Sequence, residues 1–438
     1  MFLVDDMFTT EAPLIVNPPP GPRVKKVLLE GGEMPLTPAP VIKYAKGVWI
    51  QDLDDNVIFD FISGRCTVNV GHRHPRIQSA IIEQMNKVTH GYIEERQVLM
   101  KKLDAILPLS GHGQAKTAFT LSGSASNDAA IKMARTITGK RGVICFAGAY
   151  HGTTYGALSI SSYTPSMFKN YGRLNNVFRF PYPDYYHAPF ENQSPDEIDD
   201  IIIGLFEQAF DTYMPPDDVA AVVFEPVAGD AGWLVPSKQF VQRLHRLMVE
   251  NDILFVSEEV QTGFGRTGNW FCIENYGVAP DIVAMGKSMA GGAVAMAGVA
   301  VKQSTLERGE EFSHFHTMGI QPLGVVATVA NIEVIESEDL TTKSRTNGKL
   351  IMKYLQDLTE DCDCLVNVRG AASLIGVEVS SKKLARQIAF DCYKNGVYLV
   401  AMGYRGTGVL RVAPPLISTE VQLENALDII ADVVHLKY

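Results

Sequence analysis

The chain has 438 residues, 46% of them hydrophobic, with a formal net charge of −10 and a pI of about 5.5. That is length enough for about two or three domains, and the apolar content excludes a globally disordered chain. The acidic balance disfavours nucleic acid as a partner, because phosphate binding needs clustered positive charge, and no apolar run approaches the roughly 20 residues of a membrane span.

The N-terminus, "MFLVDDMFTTEAP", carries Asp5 and Asp6 where a secretory signal would be basic, so no signal peptide is expected. Residues 1–40 are rich in proline ("NPPPGP", "MPLTPAP") and predict an extended arm. "VWIQDLDDNVIFDF" follows, two strand-like runs joined by a polar turn, and reads as a hairpin. "HPRIQSAIIEQMNKV" has the apolar spacing of a helix. From about residue 117 short β-rich runs take over: "AFTL", "GVICFAG", "NVFRFP", "AAVVFEP", "ILFVSEE", "DIVAMG" and "AMAGVAV". Helix-like segments such as "SNDAAIKMARTITG" and "SKQFVQRLHRLMVEND" separate most of them, the rhythm of an α/β domain with a mostly parallel sheet. After about residue 325 a long helical pattern, "PLGVVATVANIEVIES", leads into a smaller α+β lobe. The six cysteines are scattered and mostly in apolar contexts, and "CDC" at 362–364 has the wrong spacing for a zinc knuckle. They read as core thiols of a cytoplasmic protein without a metal site.

Ligands of open α/β sheets bind beyond the carboxyl ends of strands, so residues that break the apolar pattern there are the candidates. After "AFTL", Gly123 and Ser124 open a helix whose first N–H groups can hold phosphate; an ordinary capped helix start reads the same way. After "CFAG" stands Tyr150, a platform for a flat ring or a core tyrosine. After "VVFEP" come Glu225 and Asp230; after "ILFVS" come Glu258, Glu259 and Gln261; after "DIVAMG" comes Lys287. Lys287 sits between an apolar strand and small residues, with no helix surface to lie along. A solvated loop lysine is the plain reading, but a partly buried lysine is also a carbonyl-trapping nucleophile. Lysine, carboxylate, aromatic platform and phosphate turn together match the needs of pyridoxal 5′-phosphate.

The motifs "GRCTVNVGHRHP", "SGSASNDAAIKMAR", "AYHGTTYG", "EPVAGDAG", "SEEVQTGFGRTG", "PDIVAMGKSMAGG" and "VLRVAPPL" resemble, in collinear order from about residue 40 to the end, the class III aminotransferases of fold-type I. Within that family the resemblance is strongest to archaeal-type 4-aminobutyrate aminotransferases and to the related amino-acid racemases and isoleucine 2-epimerase. The resemblance implies an α/β fold: a large domain on a mostly parallel seven-stranded sheet plus a smaller α+β domain. The implied division is an arm over 1–40, the start of the small domain over 41–85, the cofactor-binding domain over 86–325 and the rest of the small domain over 326–438. It implies Lys287 as the cofactor-bearing lysine, Gly123 and Ser124 as the phosphate turn, and Tyr150 as the stacking ring. Gln261 falls beside the cofactor's 3′-oxygen, and Arg411 on the substrate carboxylate. Thr317 falls on a phosphate ligand lent by the other subunit of a homodimer or dimer of dimers. Glu258 falls where the family carries an aspartate against the pyridinium nitrogen; the charge is kept and the reach grows by roughly an ångström. Glu259 falls on a glutamate that points the other way.

The reaction implied is cleavage of a Cα–H bond of an amino acid. The family's commonest chemistry leans to amino-group transfer between an amino acid and a 2-oxo acid. Asp230 argues for the alternative, racemisation or 2-epimerisation. Many family aminotransferases carry a glutamate there, whereas the racemases carry an aspartate that can face Lys287 across a planar carbon as a second acid/base. Decarboxylation is less favoured, since Arg65 stands where the decarboxylases have glutamine.

Overall fold

Strands buried on both faces need near-continuous apolar sequence, and parallel sheets are where they occur. The computed structural model, which describes residues 9–31, 39–187, 193–404 and 406–438, turns all seven β-rich runs into one such sheet. Ahead of it, β1 (Ile42–Lys46), β2 (Trp49–Asp52) and β3 (Val57–Asp60) form an antiparallel meander containing the expected hairpin. The large sheet consists of β4 (Ala115–Thr120), β5 (Gly142–Phe146), β6 (Val177–Phe180), β7 (Val219–Phe224), β8 (Leu254–Glu258), β9 (Ile282–Met285) and β10 (Ala297–Lys302). Its order is β4-β10-β9-β8-β7-β5-β6, with β10 antiparallel to both neighbours and the pairs from β9 to β6 parallel.

The smaller domain carries a second, antiparallel sheet. β11 (Leu365–Ala371) and β12 (Leu374–Val379) form a hairpin; β13 (Val397–Tyr398) runs parallel to β3; β14 (Val400–Tyr404) and β15 (Thr407–Val412) complete the order β11-β12-β15-β14. Helices Leu340–Glu360, Lys382–Lys394 and Glu420–Lys437 bury one face each against this lobe.

Helix Gly123–Thr138 packs on the large sheet. Ser122 caps its start by accepting from Ala125 N–H, and Gly139, at φ +69°, ends it. The long pattern seen after residue 325 is the helix Pro322–Ser337, which is apolar on most sides up to Glu333 and packs against helices Pro75–Met85 and Glu95–Ile106. Phe146, Phe224, Phe240 and Phe255 fill the space beside the sheet. Each such buried ring contributes about 1.5–3 kcal/mol of transfer free energy. Cys66, Cys145, Cys272, Cys362 and Cys392 are buried.

The arm departs from its expected extended form. Residues 22–30 make a helix, because Pro22 presets its first turn and the Asp54 carboxylate accepts from the N–H groups of Arg23 and Val24, each at 2.9 Å. A cap supplied from 30 residues away leaves no local signature. Of the expected arm, residues 1–8 and 32–38 lie outside the described residues. Among the described residues no helix is long and apolar enough to cross a membrane.

Candidate active site

Five strands of the large sheet end on one side, and the residues just past them converge. Gly123 and Ser124 follow β4, Tyr150 and His151 follow β5, Glu225 and Asp230 follow β7, Glu258 closes β8 with Gln261 beyond it, and Lys287 follows β9. All nine line one cavity of about 180 Å³, with Asn127, Gly152, Gly229 and Val260.

The floor is built of buried carboxyl groups. Glu258 is 4% exposed, and burial raises its carboxyl to about 7, against the opposing charge of Lys287 and the N–H of Val260. Its Oε1 turns back to accept from Val260 N–H at 3.3 Å, so part of the extra side-chain length is spent on its own backbone. Beside it His151 is held neutral, its pKa lowered to about 3 by burial, so the 3.9 Å approach of Nδ1 to Glu258 Oε2 is no ion pair. Glu225 is pushed well above the usual carboxyl range by burial and by its neighbours Glu258 and Asp230; its Oε1 accepts from Gly229 N–H at 3.3 Å. Glu259 faces elsewhere. Its carboxylate accepts from Cys272 N–H at 3.0 Å, Ile273 N–H at 2.9 Å and Ser257 Oγ at 3.1 Å, and from the Thr262 hydroxyl, tying the strand end to the next loop.

Lys287 sits half-buried at φ +41°. This left-handed conformation costs a bulky residue about 1–3 kcal/mol, and the following turn holds it in place. Asn331 Nδ2 donates to the carbonyls of Ser288 at 2.9 Å and Met289 at 3.1 Å, and Asn69 Nδ2 donates to Ser288 Oγ at 3.0 Å. Tyr150 also lines the cavity and is 37% exposed, with its hydroxyl pKa raised by burial and by Asp230.

The loop after β7 connects the cavity to the small sheet. Arg411 Nη2 donates to Asp230 Oδ1 at 2.7 Å and to the Gly229 carbonyl at 2.9 Å, and its guanidinium lies 5.3 Å from the centre of the Trp233 ring. Trp233 Nε1 in turn donates to Gln261 Oε1 at 3.0 Å. That bond occupies the amide oxygen of Gln261, whose side chain lines the cavity. Arg411 therefore reaches the site through Asp230 and does not line the cavity itself.

Thr317 is not brought to this cavity. It lies exposed in the turn 317–320, two residues from Phe315, which is 86% exposed. Six residues went unassigned from sequence although they stand at the site: Asn127, one helical turn past Gly123; His151, next to Tyr150 in "AYHG"; Gly152; Gly229; Val260; and Trp233. For His151 the neighbouring tyrosine was the available signal. Trp233 had none, because its place depends on the small sheet.

The sequence model described as "Aminotransferase class-III" matches residues 33–434. An alanine/serine racemase of Pyrococcus horikoshii is 35% identical, over 97% of this chain and 93% of that protein. A probable 4-aminobutyrate aminotransferase of Bacillus subtilis is 32% identical, over 88% of this chain and 90% of that protein. A crystal structure of an amine transaminase from an uncultivated Pseudomonas species, in its pyridoxal-phosphate-bound form, superposes with a TM-score of 0.83 at 24% identity, over 91% of this chain and 95% of that one.

The cavity fits that cofactor on its own chemistry. A Cβ at Gly123 would stand 2.6 Å from Val260 Cγ1, and one at Gly152 would collide with Ser124 Oγ, so bare backbone frames the open first turn of the helix. Buried polar atoms wait without hydrogen-bond partners among the described residues: both ring nitrogens of His151, Asn127 Oδ1 and Glu225 Oε2. Among those residues no group of three or more His, Cys, Asp or Glu could hold a metal ion.

Proposed function

Because the chain belongs to the class III aminotransferase family, whose members work with pyridoxal 5′-phosphate, we propose that it racemises or 2-epimerises a free amino acid, with Lys287 and Asp230 as acid/bases on opposite faces of Cα. The observation that carries this reading is the Asp230 carboxylate, lining the same cavity as Lys287 and fixed there by Arg411 at 2.7 Å.

When bound, the cofactor supplies an electron sink for the pair left as the Cα–H bond breaks. The N–H groups of Gly123 and Ser124 would take its phosphate, Tyr150 would stack on its ring, the amide nitrogen of Gln261 would donate to its ring oxygen, and Glu258 would hold the proton at its ring nitrogen. The Lys287 amine takes the α-proton on its side, and the Asp230 carboxyl gives one on the other; in the reverse direction the roles exchange, and solvent resets both groups. Arg411 has a job in this cycle. Its Nε–H is buried without a hydrogen-bond partner among the described residues, a donor for the substrate carboxylate. Turning toward that carboxylate loosens its hold on Asp230, which can then carry a proton. Thr317 completes the phosphate site of a neighbouring subunit in a homodimer, which explains its exposure.

A second reading, transamination with a 2-oxo acid, is favoured by the same Asp230–Arg411 ion pair. Asp230 would then be only the resting counter-ion of an arginine that opens for each incoming carboxylate. The variant Asp230→Asn separates the two. In a racemase it removes inversion and silences α-hydrogen exchange of one enantiomer, while Lys287 still exchanges the other. In an aminotransferase it raises KM more than it lowers kcat, because a binding group was changed, and keto-acid production persists.

A further inference from the structure

The 229–233 loop that presents Asp230 is gripped twice by the small sheet. In the register of β11, β12 and β15, Arg369 pairs with Gly376, and Gly376 with Arg411. Directly paired residues of antiparallel strands share a face, so the two arginines stand on one face two strands apart, about 10 Å. The gap between them is kept open by Gly376, where a Cβ would come within 3.3 Å of the Gly232 carbonyl and 3.7 Å of Trp233 Cβ. Arg411 takes the near end of the loop at Gly229 and Asp230, and Arg369 takes the far end, its Nε–H donating to the Gly232 carbonyl at 2.9 Å.

Arg369 is itself held at Nε and Nη1, while its buried Nη2 has no hydrogen-bond partner among the described residues. It is 3% exposed. Its Nη1 donates to Glu378 and, at 2.6 Å, to Asn367 Oδ1, and its guanidinium lies 4.8 Å from the centre of the Tyr186 ring. Glu378 also accepts from His187, whose other ring nitrogen meets Asp184 at 3.1 Å. A buried arginine is costly unless its charge is matched and its geometry held; here a chain of alternating charges running from the segment before residue 188 into the small sheet does both. Gly232 at φ +96° and Trp233 at φ +55° are left-handed, so the loop is not in a conformation it would keep unaided.

We infer that Arg369 is a positioning residue for Asp230: by holding the Gly232 carbonyl it sets where the Asp230 carboxylate points, while Arg411 remains able to release that carboxylate. This rests on the proposed function in that Asp230 is taken as the group acting on one face of Cα.

The test is α-deuterium incorporation into each enantiomer of one amino acid by the holoenzyme, comparing wild type with Arg369→Lys. A lysine keeps the charge facing Glu378 but cannot also donate to Gly232. Exchange of the enantiomer that Asp230→Asn silences should fall by about tenfold or more. Exchange of the other, served by Lys287, should stay within about twofold, with an unchanged cofactor absorbance spectrum; equal slowing of both, or of neither, overturns the inference. If wild type exchanges only one enantiomer, the racemase reading has failed, and Arg369 is judged on KM. Arg369→Lys must then reproduce the KM change of Asp230→Asn, with nothing added in the double variant; additive changes, or none from Arg369→Lys, overturn it. Should Arg369→Lys not fold, Glu378→Gln, which leaves the guanidinium and removes its anion, is read by the same criteria.

Discussion

Replacing Glu258 by glutamine in the cofactor-free protein should change how stability depends on pH. Burial raises the Glu258 carboxyl from 4.5 to about 7 in the folded chain. Between those values the folded state binds the proton more tightly than the unfolded state, so unfolding releases it and stability falls as pH rises. The contribution is fully present below about pH 4.3, the unfolded value, and is lost as pH climbs through about 7. A gap of this size corresponds to about 3 kcal/mol. The glutamine variant has no proton to lose at this position; Glu225, raised chiefly by burial and in part by the Glu258 charge, titrates in both proteins and cancels only in part. The assay is urea unfolding of cofactor-free wild type and Glu258→Gln at half-unit steps from about pH 4.5 to about 7.5, read as the difference in unfolding free energy. That difference should move by about 3 kcal/mol in favour of the variant across the window. A flat difference would show that Glu258 is not held protonated by its surroundings. A cation at the ring nitrogen would pair with the Glu258 carboxylate and offset its burial cost, so adding cofactor should flatten the wild-type profile more than the variant's.

Three further outcomes follow from the site. Wild type should be yellow, with borohydride fixing the cofactor to the peptide that contains Lys287, and Lys287→Ala should lose the fixation; labelling elsewhere would reject the assignment. Gly123→Ala puts a Cβ 2.6 Å from Val260 Cγ1 at the phosphate turn, and should weaken cofactor binding by about tenfold or more, a loss of about 1.4 kcal/mol, while a cofactor affinity equal to wild type would show that the phosphate lies elsewhere. Thr317→Val and Lys287→Ala, each inactive or impaired alone, should regain activity when mixed and re-equilibrated, because one site of the mixed dimer is then intact; failure to complement would place both residues in the same subunit's site.

The strands and the residues just beyond them were legible because the code involved is local. A run such as "AAVVF", short, β-branched and bounded by polar residues, reads as a strand buried on both faces, and a charge just beyond it, such as Glu225 or Lys287, stands at the ligand-binding end of the sheet. The helix Pro22–Glu30 was not legible, because Asp54 caps it through tertiary contact. The posture of Glu258 was also hidden. Its charge could be read, but not the turn of Oε1 back to Val260 N–H, which depends on the loop that follows. Least legible was the grip on Asp230. Arg369, Gly376 and Arg411 are far apart in sequence from that loop and meet it only through strand register, and nothing in "VNVRGAASLIGVEV" announces that its arginine faces the cavity loop.

The most direct test of the assignment needs a single incubation: one pure L-amino acid with holoenzyme in deuterated water, no 2-oxo acid added, followed by chiral chromatography with mass spectrometry. The expected result is D-isomer carrying one α-deuterium, formed over many turnovers per site and abolished in Asp230→Asn. Absence of any D-isomer across the common amino acids, together with keto-acid formation that starts only when a 2-oxo acid is supplied, would contradict it and leave Asp230 as the counter-ion of Arg411.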